Sequence, residues 1–165
     1  MTISLARRDI TTPLGALTLV ATTRGVAGAY FDDHRRRPDI ENFPTDGAEA
    51  VLDAAESAYR AYFDGGAAEV NVHGDAAGTD FQRSVWAELS RIPAGETRTY
   101  AQIADAIGRP SAVRAVAGAI GANPLTIAVP CHRVVGSDGS LTGYAGGLER
   151  KRWLLDHEAA AVRTA

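Results

Sequence analysis

Cysteine occurs once in these 165 residues, at Cys131, and lysine once, at Lys151. A single cysteine excludes an internal disulfide, a thiol pair for redox exchange, and any zinc site built on several cysteines. If Cys131 does chemistry, it acts alone as a nucleophile. No apolar run approaches the roughly 20 residues of a membrane helix. The opening MTISLARRDITTP places arginines behind a short apolar stub, without the apolar core of a secretory signal. These absences predict a cytoplasmic protein with no membrane partner. Aromatics are modest at 7%, but the apolar share of 45% is that of a soluble globular chain. The length allows one ordinary domain or two small ones. Net charge is −3, which taken whole argues against nucleic acid. The halves disagree: residues 1–77 sum to −5 and residues 78–165 to +2, so what basic character there is lies with Cys131. Lys151 apart, every basic residue is arginine, a bias that base composition explains better than phosphate binding.

What is present divides near Gly74–Gly78, where small residues lose all periodicity. Before that point, Leu17–Ala21 and Val26–Phe31 read as two strands joined at Thr22–Gly25, with Gly25 free to take positive φ. A preceding strand ending near Thr11 completes a three-stranded meander. Residues 48–63 carry Val51, Leu52, Ala55, Tyr59, Tyr62 and Phe63 at helical spacing, and Gly65 stops that helix. Arg35–Arg37 beside aspartates reads as a solvated loop. After Thr79 or Asp80 as cap, Phe81, Val85, Trp86, Leu89 and Ile92 form one apolar helix stripe. Thr99 and Gln102 have capping-box spacing, and Gly108 stops their helix. A second short helix, SAVRAVAGAIG, is expected with Ser111 as its cap and Gly121 as its stop. Two short helices joined by a glycine-containing turn are a helix-turn-helix signature. LTIAVP reads as a strand, RVVGSDGSLTGY as a hairpin wing around Asp138 and Gly139, and GLERKRWLLDHE as a closing helix.

Two features leave alternatives open. The second helix of the pair offers Ala112, Val113, Ala115, Ala117 and Gly118, with Arg114 its only charge, so it has almost nothing with which to read base edges. Such a helix suits close approach to a minor groove, or equally burial in the core. Cys131, in VPCHRVVG, is either a small buried hydrophobe or a nucleophile with His132 to take its proton and Arg133 to favour the thiolate. Adjacent residues on a strand face opposite ways, so direct Cys131–His132 bonding requires the chain to turn at Pro130, or a water between them. Asp156 and Glu158 are candidates to orient the imidazole.

IAVPCHRVVGSDGSLTGYAGGLERKRWLLDHE, preceded by ANP and by FQRSVWAELSRIPAGETRTYAQIADAIG, strongly resembles the O6-alkylguanine-DNA alkyltransferases. The likeness spans nearly all of residues 79–158. It implies an α/β N-terminal domain over 1–77, a small antiparallel sheet plus helix in an RNase H-like roll. An α+β winged helix-turn-helix domain over 78–165 follows. It implies irreversible transfer of an alkyl group from O6-alkylguanine in duplex DNA to the protein's own cysteine, with O4-alkylthymine a second candidate substrate. Through the resemblance, Cys131 is the alkyl acceptor, His132 the water-linked base and Glu158 its orienting carboxylate. Asn123 is the hinge, and Tyr100 assists the leaving guanine. Arg114 fills the gap in the duplex, on a helix docked through Ala112, Val113, Ala115, Ala117 and Gly118. Tyr144, Gly146 and the main chain at Val134 and Ala145 hold the base. The expected partner is double-stranded DNA, bound without sequence preference by a monomer, with cooperative assembly on DNA left open. No cofactor is implied.

Departures from the pattern are Ala145, where many relatives have serine, and Ala117, where glycine is common. Some relatives hold zinc through N-terminal cysteines, which this chain lacks, so no metal is expected. Three rival readings remain: a non-reacting recognition module, which typically lacks the cysteine; a transcription factor, which needs polar base readers; and a cysteine hydrolase, which leaves the docking helix unexplained.

Overall fold

A computed structural model of the chain describes residues 4–164. They form an α/β fold divided into two compact units. The first holds the residues up to Ala77 together with Pro124–Ala128; the second holds Gly78–Asn123 and the residues from Val129 on.

The first unit is built on an antiparallel meander, β1 (Ala6–Thr12), β2 (Gly15–Ala21) and β3 (Val26–Phe31). Thr12 pairs with Gly15 across the first turn, where Gly15 has φ +107°, a conformation that favours glycine. At the second turn Thr22 Oγ1 accepts from the amides of Arg24 and Gly25. Gly25 does not take positive φ there. The glycine is needed because a Cβ would lie 2.7 Å from the His73 carbonyl oxygen. Helix α1 (Glu49–Phe63) buries Leu52, Ala55, Tyr59 and Tyr62 of the expected stripe, while Val51 and Phe63 at its edges are half-buried. Beyond it, Gly65 takes φ +84°. Val20 and Tyr30 pack with Ile40 in a separate cluster, flanked by Leu5, Ala27 and Phe43. LTIAVP is not a strand. Ala29 donates its amide to Pro124 O, and Tyr59 its hydroxyl to Thr126 O, so Pro124–Ala128 belongs with the first unit's sheet and helix. Ile127 then turns the chain at φ +71°.

The second unit starts with α2 (Asp80–Leu89), capped by Thr79 in a complete capping box with Gln82. A second box, Thr99 with Gln102, opens α3 (Tyr100–Ala106), and Gly108 at φ +76° lies beyond its end. Helix α4 (Val113–Gly121) follows. Its N-cap is Ala112, without a side-chain bond, and not Ser111, which is exposed. Val85, Leu89, Ile103, Ala104, Val116, Ile120, Val134 and Leu154 supply buried apolar side chains of this unit. The expected wing hairpin is absent among the described residues. β5 (Val134–Val135) pairs in parallel with β4 (Arg98–Thr99), and Gly136–Ser140 is a turn closed by the Gly136 amide on Ser140 O. Helix α5 (Leu148–Thr164) closes the unit. No helix among the described residues is long and apolar enough to cross a membrane.

Candidate active site and nucleic-acid interface

Asn123 lies just beyond the end of α4, buried, and its Nδ2 donates to Val129 O at 2.8 Å. The same carbonyl accepts the Cys131 amide at 2.8 Å, over Pro130 at φ −81° and ψ 65°. Cys131–Arg133 then form one 3-10 turn. With three residues per turn, Cys131, His132 and Arg133 leave the backbone about a third of a turn apart. The strand geometry that would have opposed Cys131 and His132 does not apply, because the chain turns at Pro130.

Behind the cysteine is a buried charge cluster. His132 Nε2 lies 2.6 Å from Glu158 Oε1. Arg133 donates from Nε to Oε2 and from NH2 to Oε1, both at 2.8 Å, and from NH1 to the Ile92 carbonyl at 2.7 Å. All three side chains are at most 1% exposed. Burial alone would lift the Glu158 carboxyl, but hydrogen bonds and charge from His132 and Arg133 hold it at about 2. Burial pushes the His132 imidazole below its ordinary value, against the opposing pull of Glu158. A neutral imidazole beside a carboxylate donates from Nε2 and leaves Nδ1 as a buried acceptor. That nitrogen has no hydrogen-bond partner among the described residues. Asp156, the other candidate orienter, is exposed.

Arg133 is committed to Glu158. The cation that favours the thiolate is Lys151: burial pushes the Cys131 thiol up, while Asn123 and the charge of Lys151 pull it back. Lys151 is fully buried, and its ammonium is lowered to about 8, chiefly by burial. Its Nζ donates to Thr142 O at 2.7 Å and Gly143 O at 3.5 Å. Tyr100 donates its hydroxyl to the same two carbonyls, at 3.1 and 3.4 Å. Sequence reasoning missed Lys151, although a lone lysine among sixteen arginines was a signal.

The Thr142–Gly143 loop leads to Tyr144, which is buried. Its ring lies so close to Gly146 that a Cβ there would sit 2.8 Å from a ring carbon. Arg150 donates to Gly146 O at 2.9 Å. Val134 is fully buried, and Ala145 half-buried. On α4 the two sides separate by size. Val116, Ala119 and Ile120 are buried, while Arg114, Ala115, Ala117 and Gly118 are exposed and Ala112 and Val113 half-buried. The helix is therefore not a wholly buried core element. Trp86 Nε1 donates to Ala119 O at 2.8 Å and ties α4 to α2. A Cβ on Gly118 would meet nothing within 4 Å. Among the described residues no three His, Cys, Asp or Glu side chains are grouped to hold a metal ion.

Residues 80–160 match the family described as 6-O-methylguanine DNA methyltransferase, DNA binding domain. The methylated-DNA–protein-cysteine methyltransferase of Mycobacterium tuberculosis is 44% identical over 151 residues, covering 92% of this chain and 90% of the relative. The chain belongs to the methylated-DNA–protein-cysteine methyltransferase family. A relative of the same name from Methanosarcina barkeri is 44% identical over 156 residues, 93% of this chain and 97% of its own. A solved structure of Mycobacterium tuberculosis OGT in complex with DNA superposes with a TM-score of 0.88 at 43% identity, covering 94% of each chain.

Within this methyltransferase the structure brings Cys131, His132, Glu158 and Asn123 into one buried centre, and ties Tyr100 to the loop entering Tyr144 and Gly146. The exposed face of α4 is a separate feature of the same unit.

Proposed function

We infer that this chain repairs DNA by moving the alkyl group of O6-alkylguanine onto its own Cys131, once per molecule. The observation that carries the reading is a lone cysteine on a tight turn before a buried His132–Glu158 pair, in a chain of this family.

The lesion oxygen lies inside a stacked duplex, so the nucleotide must be extruded, at a few kcal/mol for unstacking. The exposed small residues of α4, Ala112 to Gly118, suit close backbone approach in a minor groove, and Arg114 is the side chain able to fill the space the base leaves. With one charged group on that helix, binding is independent of sequence. The Cys131 proton passes to His132 Nδ1, directly or through a water, and the imidazolium is stabilised by Glu158. The thiolate attacks the alkyl carbon; the S–C bond forms as the C–O bond to the base breaks. The leaving base takes a proton on its ring from Tyr100 acting as general acid. That hydroxyl now donates to Thr142 O, so it must turn away, and Lys151 keeps the carbonyl paired when it does. Tyr144, Gly146 and the main chain of Val134 and Ala145 form the base pocket. The product is a thioether with no acyl carbon for water to attack, so the protein does not turn over.

The meander with α1 supports the reading of an RNase H-like N-terminal roll, and α3 with α4 that of a helix-turn-helix whose wing is reduced to a turn. The reading extends to a cytoplasmic monomer. Retention of Cys131 disfavours a recognition module that does not react.

Intact mass after mixing with a duplex carrying one O6-methylguanine tests the reading. The expected result is one methyl gained per chain, stoichiometric with repaired DNA and lost in Cys131→Ser. Binding without a mass change refutes it. A duplex carrying O4-methylthymine, run alongside, measures whether the pocket takes a pyrimidine.

A further inference from the structure

Two three-residue turns follow one another on the path to Cys131, and each is closed by an amide on the carbonyl two residues back. In the second, Val129 O accepts the Cys131 amide and also Asn123 Nδ2. In the first, Thr126 O accepts the Ala128 amide at 2.9 Å and also the Tyr59 hydroxyl at 2.5 Å. Both carbonyls thus use two acceptor sites, one on the turn's own amide and one on a buried side chain. The turns differ in hand. Pro130 has negative φ, the common form; Ile127 has φ +71°, the rare and strained form. Positive φ in a β-branched residue is an outlier that persists only where its surroundings enforce it. Within the first unit Tyr59 is fully buried on α1, and Ile127 is 1% exposed.

We propose that Tyr59 is a positioning residue for alkyl transfer, doing for the turn at Ile127 what Asn123 does for the turn at Pro130. Its hydroxyl holds the Thr126 carbonyl in the orientation that the strained turn requires. The backbone leaving that turn reaches Cys131 four residues later. Without the hydroxyl, Ile127 relaxes toward negative φ and the thiol is presented off line to the alkyl carbon. The inference rests on the alkyl-transfer reading above.

Because each chain reacts once, the final extent of methyl uptake counts folded molecules, while the rate constant reports geometry within them. Tyr59→Phe removes only the hydroxyl. The expected result is full uptake of one methyl per chain, a rate constant at saturating DNA about tenfold lower, and an unchanged half-saturating DNA concentration. Ile127→Gly, which adopts positive φ without strain, supplies the second arm. In that background, adding Tyr59→Phe should slow transfer by no more than about twofold. A Tyr59→Phe rate constant equal to wild type overturns the proposal, whatever happens to the extent. So does a full tenfold loss persisting in the Ile127→Gly background. A wild type that gains no methyl refutes the repair reading itself, and this proposal with it.

Discussion

Among the described residues, Lys151 is the cation whose charge bears on Cys131, while Arg133, adjacent in sequence, is bound to Glu158. Replacing it with methionine keeps a long stem in the core and removes only the ammonium. Burial raises the thiol, so losing the neighbouring charge raises it further. The rate of Cys131 alkylation by iodoacetamide against pH should therefore shift to higher pH in Lys151→Met, by roughly half a unit or more. Wild type and variant should converge well above pH 8, where Lys151 itself loses its proton. Superimposed profiles would mean that Lys151 serves only the Thr142 and Gly143 carbonyls. At this scale the sequence singles out Cys131 and His132 as candidates because they stand side by side in one short motif. Glu158 is one of two acidic candidates, set apart from Asp156 only through the family resemblance. The sequence does not display the partner of Arg133 or the roles of Lys151 and Tyr59. Those depend on pairs separated by 25, 9 and 67 positions, respectively. No spacing rule connects them, and Tyr59 looks like any other apolar position in the α1 stripe.

Helix α4 is where element-level stability and function pull apart. Gly118 is an exposed helix-interior glycine with ordinary φ and open space around it. Alanine there should stabilise the helix by about 0.5–1 kcal/mol, raising Tm by roughly 1–4 °C for a chain of this size. If the exposed face of α4 docks against DNA, the added methyl should weaken duplex binding severalfold, and Gly118→Leu should weaken it further. Calorimetry and a fluorescence titration with undamaged duplex check the two halves separately. A tighter-folding variant with unchanged affinity would move the docking surface elsewhere. Helix elements were the most legible part of the fold, since both capping boxes, Thr79 with Gln82 and Thr99 with Gln102, are contained within four residues. LTIAVP misled because its apolar, β-branched composition suits a strand, whereas its conformation is set by Ala29 and Tyr59. The wing failed similarly: β5 pairs with β4, 36 residues earlier, and in parallel. A hairpin rule, which looks only at neighbouring residues, cannot anticipate that pairing.

For the whole molecule, the buried centre couples the site to acid stability. His132 has its folded value lowered, so between that value and the unfolded value of about 6.5 the unfolded chain binds more protons. Stability from this group is present above about pH 6.5 and declines as pH falls below it. Glu158 is lowered to about 2 from an unfolded value near 4.3, which gives the same sign in a lower window. Its contribution is complete above about pH 4.5 and is lost as pH falls toward 2. Urea unfolding across pH 3 to 8 should therefore show stability that declines in two stages, first below 6.5 and again below 4.5. Glu158→Gln leaves the Arg133 guanidinium buried without its counter-charge, which at neutral pH should cost about 3–5 kcal/mol. The deficit of Glu158→Gln relative to wild type should shrink as pH drops below 4.5, since the unfolded wild-type carboxyl then takes up a proton that it must lose on folding. The first decline, belonging to His132, should survive in the variant. A deficit constant from pH 8 to pH 3 would show that Glu158 contributes by packing and hydrogen bonding alone. Its charge would then not be what fixes the tautomer of His132, whose neutrality comes from burial.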